Sequence, residues 1–197
     1  MKRFPPASVL IMLLPLAACG GSPATTMLTL DPVPPAAPAT AYAGPPLRIP
    51  ALHLPATLDR VEFVQQLSAG TVQIDDFTRW AAPPGLLARD TLIRDLTQRL
   101  PEGKVLPPDA AAVTPEVRLD ATVLSFDATA GEAVLQVSYR LVDAAQGREP
   151  PRRLVELRTP VADMQPVAQA RALSTLLGRF ADRVAADIAS GAGRARR

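Results

Sequence analysis

Val117-Arg118-Leu119-Asp120-Ala121-Thr122-Val123-Leu124-Ser125-Phe126 and, seven residues on, Ala133-Val134-Leu135-Gln136-Val137-Ser138-Tyr139-Arg140-Leu141 decide the fold. Side chains alternate across a strand, so a period of two marks one buried and one solvated face. Val117, Leu119, Ala121 and Val123 alternate with Arg118, Asp120 and Thr122. Leu124 and Phe126 then shift the phase, which predicts a bulge near Leu124 or a strand covered on both faces. In the second segment Ala133, Leu135, Val137, Tyr139 and Leu141 alternate with Gln136, Ser138 and Arg140. The connection from Asp127 to Glu132 contains Gly131 and suits a hairpin. A further turn, Asp143 to Pro151, leads to Arg153-Leu154-Val155-Glu156-Leu157-Arg158-Thr159, and the set reads as an antiparallel meander.

Outward from this meander the periodicity changes. Pro166 to Ala189 forms a long helix with Leu173, Leu176, Leu177, Phe180, Val184 and Ile188 in one apolar stripe, of a width that packs on a sheet. Upstream, Pro83-Pro84 precede a helix in which Leu86, Ile93, Leu96 and Leu100 keep helical spacing. Asp90 with Arg94, and Asp95 with Arg99, are i, i+4 pairs assigned to its outer side, and Pro101 stops it. Val61 to Leu67 and Thr71 to Ile74 read as a hairpin turning at Ser68-Ala69-Gly70. Leu47 to Leu54 reads as one strand that Pro50 pushes to an edge or a bulge. Lys104-Val105-Leu106 is a short strand. The expected fold class is α+β, a mixed α/β sandwich with one largely antiparallel sheet packed by two main helices.

The amino terminus is of another kind. Met1-Lys2-Arg3, the apolar run from Val9 to Leu14 and the small residues before Cys19 make a secretory signal. The run is about half the ~20 residues a membrane-spanning helix needs, and Pro15 interrupts it. Leu16-Ala17-Ala18-Cys19 resembles the lipobox of bacterial lipoproteins, which implies that Cys19 carries an N-acyl diacylglycerol group. Gly20 in the next position, rather than an acidic residue, resembles the enterobacterial sorting pattern that implies the outer membrane. Gly20 to Pro50 is rich in Pro, Ala, Gly and Thr and reads as a semi-rigid tether. Met27-Leu28-Thr29-Leu30 looks like a short strand that pins onto the domain. The organisation is therefore a signal peptide over 1–18, a lipidated tether over 19–46 with a short strand near 27–30, a single domain over 47–190 and a basic disordered tail over 191–197.

Composition narrows the chemistry. Loss of residues 1–18 from the 197 leaves 179 residues, a length for one domain. Lys2 and Arg3 leave with the signal, which takes the 21 basic residues to 19, equal to the 19 acids. A pI argument for nucleic acid fails accordingly, and no nucleic-acid partner is expected. Cys19 is the only cysteine, so no intrachain disulfide forms and the core alone must hold the fold. With one histidine in the chain and Cys19 committed to lipid, zinc, iron–sulfur and thiol mechanisms lack ligands. No nucleophile elbow or phosphate loop occurs. His53 reads as a structural or half-exposed residue of a strand, and Asp75-Asp76 as solvated carboxylates. The expectation is a protein that is not an enzyme, binds no metal and needs no cofactor beyond its lipid.

Leu54-Pro55-Ala56-Thr57-Leu58-Asp59-Arg60, followed by Phe77-Thr78-Arg79-Trp80-Ala81-Ala82-Pro83, resembles the ABC-type transport auxiliary lipoproteins, the PqiC-like family. Members carry an L-P-x-x-L-D-R segment and then an R-W-A motif leading into a helix. The order of elements and the A-L-S start at Ala172-Leu173-Ser174 agree. Met27-Leu28, Gln65-Gln66 and Tyr139-Arg140-Leu141 depart from the residues common at those positions. The resemblance implies an outer-membrane, periplasm-facing lipoprotein that partners the MCE-domain protein of an ABC-type lipid transporter, supports envelope integrity and can form a ring-shaped homo-oligomer. Cys19 is the lipid attachment site. Leu54, Pro55, Leu58, Asp59, Arg60, Arg79 and Trp80 are the candidate interface or core residues, Trp80 being read as a core plug before an interface anchor. The alternative is a periplasmic assembly or pilotin-like lipoprotein for another outer-membrane complex; an envelope hydrolase is a third, weaker reading.

Overall fold

The computed structural model describes residues 24–68, 70–129, 131–143 and 149–191. The signal, Cys19, the tail from residue 192 and the centre of the Asp143–Pro151 turn lie outside them. Eleven elements follow in chain order: β1 (Thr26–Leu28), β2 (Leu47–Arg48), β3 (Leu52–His53), β4 (Glu62–Ser68), β5 (Thr71–Trp80), α1 (Pro84–Thr97), β6 (Val105–Leu106), β7 (Val117–Thr129), β8 (Glu132–Asp143), β9 (Arg153–Pro160) and α2 (Pro166–Ala189).

The alternation in the meander is realised residue by residue. β7, β8 and β9 pair antiparallel, with Ala121 opposite Tyr139 and Val137 opposite Val155. Leu119, Ala121, Val123, Leu135, Val137 and Tyr139 are buried on one face. The register shifts between Val123 and Ser125, and Leu124 is exposed, so the phase change in the sequence is a bulge. The stripe of α2 covers the inner face. Phe180 stands edge-on to Tyr139 at 5.2 Å between ring centres, and the Tyr139 hydroxyl donates to the Asp187 carboxylate. Burial first, then that carboxylate, holds the Tyr139 phenol above its ordinary value.

The fold class is α+β, as expected, but the sheet is not single. β6, β2, β7, β8 and β9 lie in order in a six-stranded sheet, with β3 also pairing with β7; β1, β5 and β4 form a separate three-stranded sheet. Strands β2 and β3 run parallel to β7, and β2 also to β6. The strand expected over 47–54 is therefore two short ones broken at Pro50, which has no N–H to give to a ladder. The hairpin β4–β5 is longer than expected, because β5 runs on to Trp80, and it joins the rest through its base. There Phe63 and Trp80 pack at 5.7 Å between rings.

Helix α1 also departs from expectation. Its buried side is Ala88, Thr91, Leu92, Asp95 and Leu96, while Leu86 is exposed. Asp95 and Arg99, assigned to the outer side, are both buried. Asp90 pairs with Arg89 instead of Arg94. The reason lies in the segment that follows β1, which covers the polar side of this helix.

Candidate docking site

The Leu54–Arg60 motif folds into a turn. The Pro55 carbonyl accepts from the amides of Leu58 at 2.8 Å and Asp59 at 3.0 Å, and Leu54 and Leu58 are half-buried against the core. Asp59 Oδ1 then accepts the amide of Gly85 at 3.0 Å. That amide is in the first turn of α1, whose own flanking residue Pro83 has no capping side chain. A carboxylate here satisfies an orphan donor and faces the positive end of the helix dipole. A Cβ on Gly85 would stand 3.1 Å from that oxygen and 3.2 Å from the Leu52 carbonyl, so any larger residue there would have to push one of them back by a few tenths of an ångström.

The second half of the motif meets the first. Trp80 donates its amide to the Val61 carbonyl at 2.7 Å, and its ring is buried on Phe63. Glu62 lies between Arg60, at 3.0 Å, and Arg79, at 3.9 Å; the backbone at Glu62 and the Arg60 side chain hold its carboxyl below the usual range. All seven motif residues thus gather at the base of the hairpin and the start of α1. Leu54, Pro55, Leu58, Asp59 and Trp80 build that corner, and Arg60 and Arg79, with the exposed Asp59, present charge to solvent.

A second cluster was not legible in the sequence. After β1 pairs parallel to the end of β5, with Leu28 opposite Trp80, the chain crosses α1 and α2 as a strap. The Leu30 carbonyl accepts from Thr91 Oγ1 at 2.9 Å and Arg94 at 3.0 Å. Asp31 donates its amide to Ser174 Oγ at 3.1 Å. Val33 donates its amide to Asp95 Oδ1 at 2.8 Å, and its carbonyl accepts from Arg99 at 3.1 Å. Thr40 donates to the Arg99 carbonyl at 2.8 Å. The approach is close, since a Cβ on Gly178 would lie 3.0 Å from that of Val33. Arg99 also reaches Asp182 at 2.6 Å. Burial pushes the Asp95 carboxyl up to about 6, nearby Asp182 adds to the rise, and the Val33 amide, Arg99 and Arg94 oppose it. Asp95 Oδ2 has no hydrogen-bond partner. An i, i+4 Asp–Arg pair on a helix looks the same whether solvent or a strap covers it.

The two sheets present unlike outer surfaces. On the large sheet Asp120 takes Arg140 and Arg152, each at 2.8 Å, and Arg158 bridges Glu132 at 2.5 Å and Glu156 at 2.7 Å. On the small sheet Met27 is opposite Arg79, Val64 opposite Ile74 and Gln66 opposite Val72; Met27, Val72, Ile74 and Phe77 are exposed. His53 is exposed on β3. Among the described residues no three His, Cys, Asp or Glu side chains gather as a metal site, and no helix is long and apolar enough to cross a membrane.

Comparison with known proteins agrees with this architecture. The family model for the ABC-type transport auxiliary lipoprotein component matches residues 28–185. A solved structure of an uncharacterized protein superposes with a TM-score of 0.69 at 20% identity, covering 84% of this chain and 99% of that one. A protein from Xanthomonas campestris gives 0.68 at 17% identity over 85% and 97%. At these identities the likeness concerns the fold. No curated protein matches the chain.

Proposed function

The chain belongs to the family of ABC-type transport auxiliary lipoprotein components, and from that premise we propose that it is the outer-membrane docking subunit of an MCE/ABC-type intermembrane lipid transport system. Cys19 carries the acyl chains, the domain faces the periplasm, and the partner is the MCE-domain protein of the transporter. The role is structural and supports envelope integrity; it requires no cofactor beyond the N-acyl diacylglycerol group.

The observation that best supports a docking role is the strap. The polypeptide that arrives from the anchor is built into β1 and then tied to both helices at Leu30, Asp31 and Val33. A domain held so firmly by its leading segment is positioned close to its anchor. Photo-crosslinkers at Arg60 and Arg79 in intact cells test the reading. Recovery of an MCE-domain protein is the expected result, and recovery of secretin or pilus components alone would overturn it. Cys19→Ser is expected to leave a folded domain that no longer fractionates with the outer membrane, with a barrier defect.

A further inference from the structure

Of the ten large apolar side chains that are exposed among the described residues, Met27, Leu67, Val72, Ile74 and Phe77 belong to the small sheet. The other five are scattered singly, which is ordinary for a protein surface. At the free end of the β4–β5 hairpin Leu67 is 51% exposed, Val72 53% and Ile74 42%. The sequence from Val64 to Ile74, Val-Gln-Gln-Leu-Ser-Ala-Gly-Thr-Val-Gln-Ile, contains no ionisable side chain. The neighbouring β7–β8 hairpin, by contrast, is flanked at its turn by Asp127 and Glu132.

Chain length says what lies beside this end. β1 runs parallel to β5 with Thr26 opposite Thr78, so the polypeptide upstream of Thr26 leaves towards the hairpin end. Cys19 precedes Thr26 by as many residues as Thr71 precedes Thr78. At a full extension of about 3.3–3.6 Å per residue, either stretch spans at most about 25 Å. An acylated Cys19 therefore reaches no farther than the hairpin end does.

We propose that the uncharged end of the β4–β5 hairpin, through Leu67, Val72 and Ile74, dips into the lipid surface that receives the Cys19 acyl chains. The inference rests on Cys19 being the anchor. The chemistry suits the headgroup–acyl boundary: apolar side chains gain by leaving water, the stretch from Val64 to Ile74 carries no charge to desolvate, the amides and carbonyls that face the partner strand are engaged in the hairpin ladder, and those on the two open edges keep headgroup water at this depth. Acting alone the contact is weak. Beside a covalent anchor its effective concentration is high, and two attachments fix an orientation that a single one leaves free.

The test uses the full mature lipoprotein in vesicles of phosphatidylethanolamine and phosphatidylglycerol. Cys19 is alkylated, so Ile74→Cys supplies the one free thiol for an environment-sensitive dye; Leu154→Cys, on the outer face of the large sheet, is the control. The expected result is a blue-shifted emission at position 74, quenched several-fold more by phospholipids with spin-labelled acyl chains than the emission at position 154. Val72→Glu should abolish that quenching at position 74 without lowering the melting temperature, since Val72 is exposed. A dye at position 74 that stays in water while the protein floats with the vesicles overturns the inference alone. A dye that is shielded but not reached by the lipid quencher assigns the face to another protein surface and overturns it too. A protein that does not float overturns the anchor, and the inference with it.

Discussion

The two sheets share inner faces of the same kind and differ on the outside. Behind β7, β8 and β9 lie Leu135, Val137 and Tyr139; behind β4 and β5 lie Phe63 and Trp80. Outside, the large sheet carries paired charges in which each arginine meets a carboxylate, with Leu124 and Leu154 exposed singly among them. The small sheet instead shows Met27, Val72 and Ile74. A charged, mutually satisfied surface is complete in water, whereas an apolar one next to an anchor is not. The difference separates what holds the domain together from what it offers to its surroundings.

That contrast can be broken most severely at Trp80. If the inner face of the small sheet is core, Trp80→Ala should cost about 3–5 kcal/mol in chemical denaturation, as truncation of a large buried aromatic does; an unchanged midpoint would make Trp80 an interface residue instead. Asp95 gives the next effect. Its folded-state value of about 6 lies above the ordinary 3.8, so its contribution to stability is complete below about pH 4 and is lost as the pH rises through 6. The span is about 2–3 kcal/mol. Asp95→Asn keeps an acceptor for the Val33 amide and removes the titration, and it should flatten the stability profile between pH 4 and 7; an unaltered slope would assign the titration elsewhere.

Asp59→Ala removes the side-chain partner of the Gly85 amide and should lower stability by about 1 kcal/mol, with reduced protection of the first turn of α1 in hydrogen exchange. The smallest effects are expected on the two outer faces. Arg158→Ala and Ile74→Ser should each stay within about 0.5 kcal/mol of the parent, and only Ile74→Ser should weaken association with lipid. If Arg158→Ala proves costly, the charge lattice contributes to folding more than its exposure suggests.

What was legible in the sequence followed from periodicity. A period of two set the meander, the phase slip at Leu124 set the bulge, and the stripe from Leu173 to Ile188 set α2. Periodicity does not say which strands share a sheet, and β2 and β3, two residues each, are too short to carry any pattern. Nor does it separate Val64, Val72 and Ile74 from a core-facing set, since an apolar residue alternates in the same way towards lipid, partner or interior. The family motif was visible, yet the task of Asp59 was not, because its partner is an amide 26 residues away. Asp95 and Arg99 were visible as a pair and misplaced, because the strap that buries them comes from more than 60 residues upstream.

The strap also determines how the domain would bear a pull. A tug from the amino-terminal side enters β1 along its own axis, so the short parallel ladder to β5 is sheared rather than peeled open. The bonds next in series are those from Leu30 and Val33 to Thr91, Arg94, Asp95 and Arg99. Tension is thereby handed to α1 and the end of β5, and the β7–β8–β9 meander stays unloaded behind them.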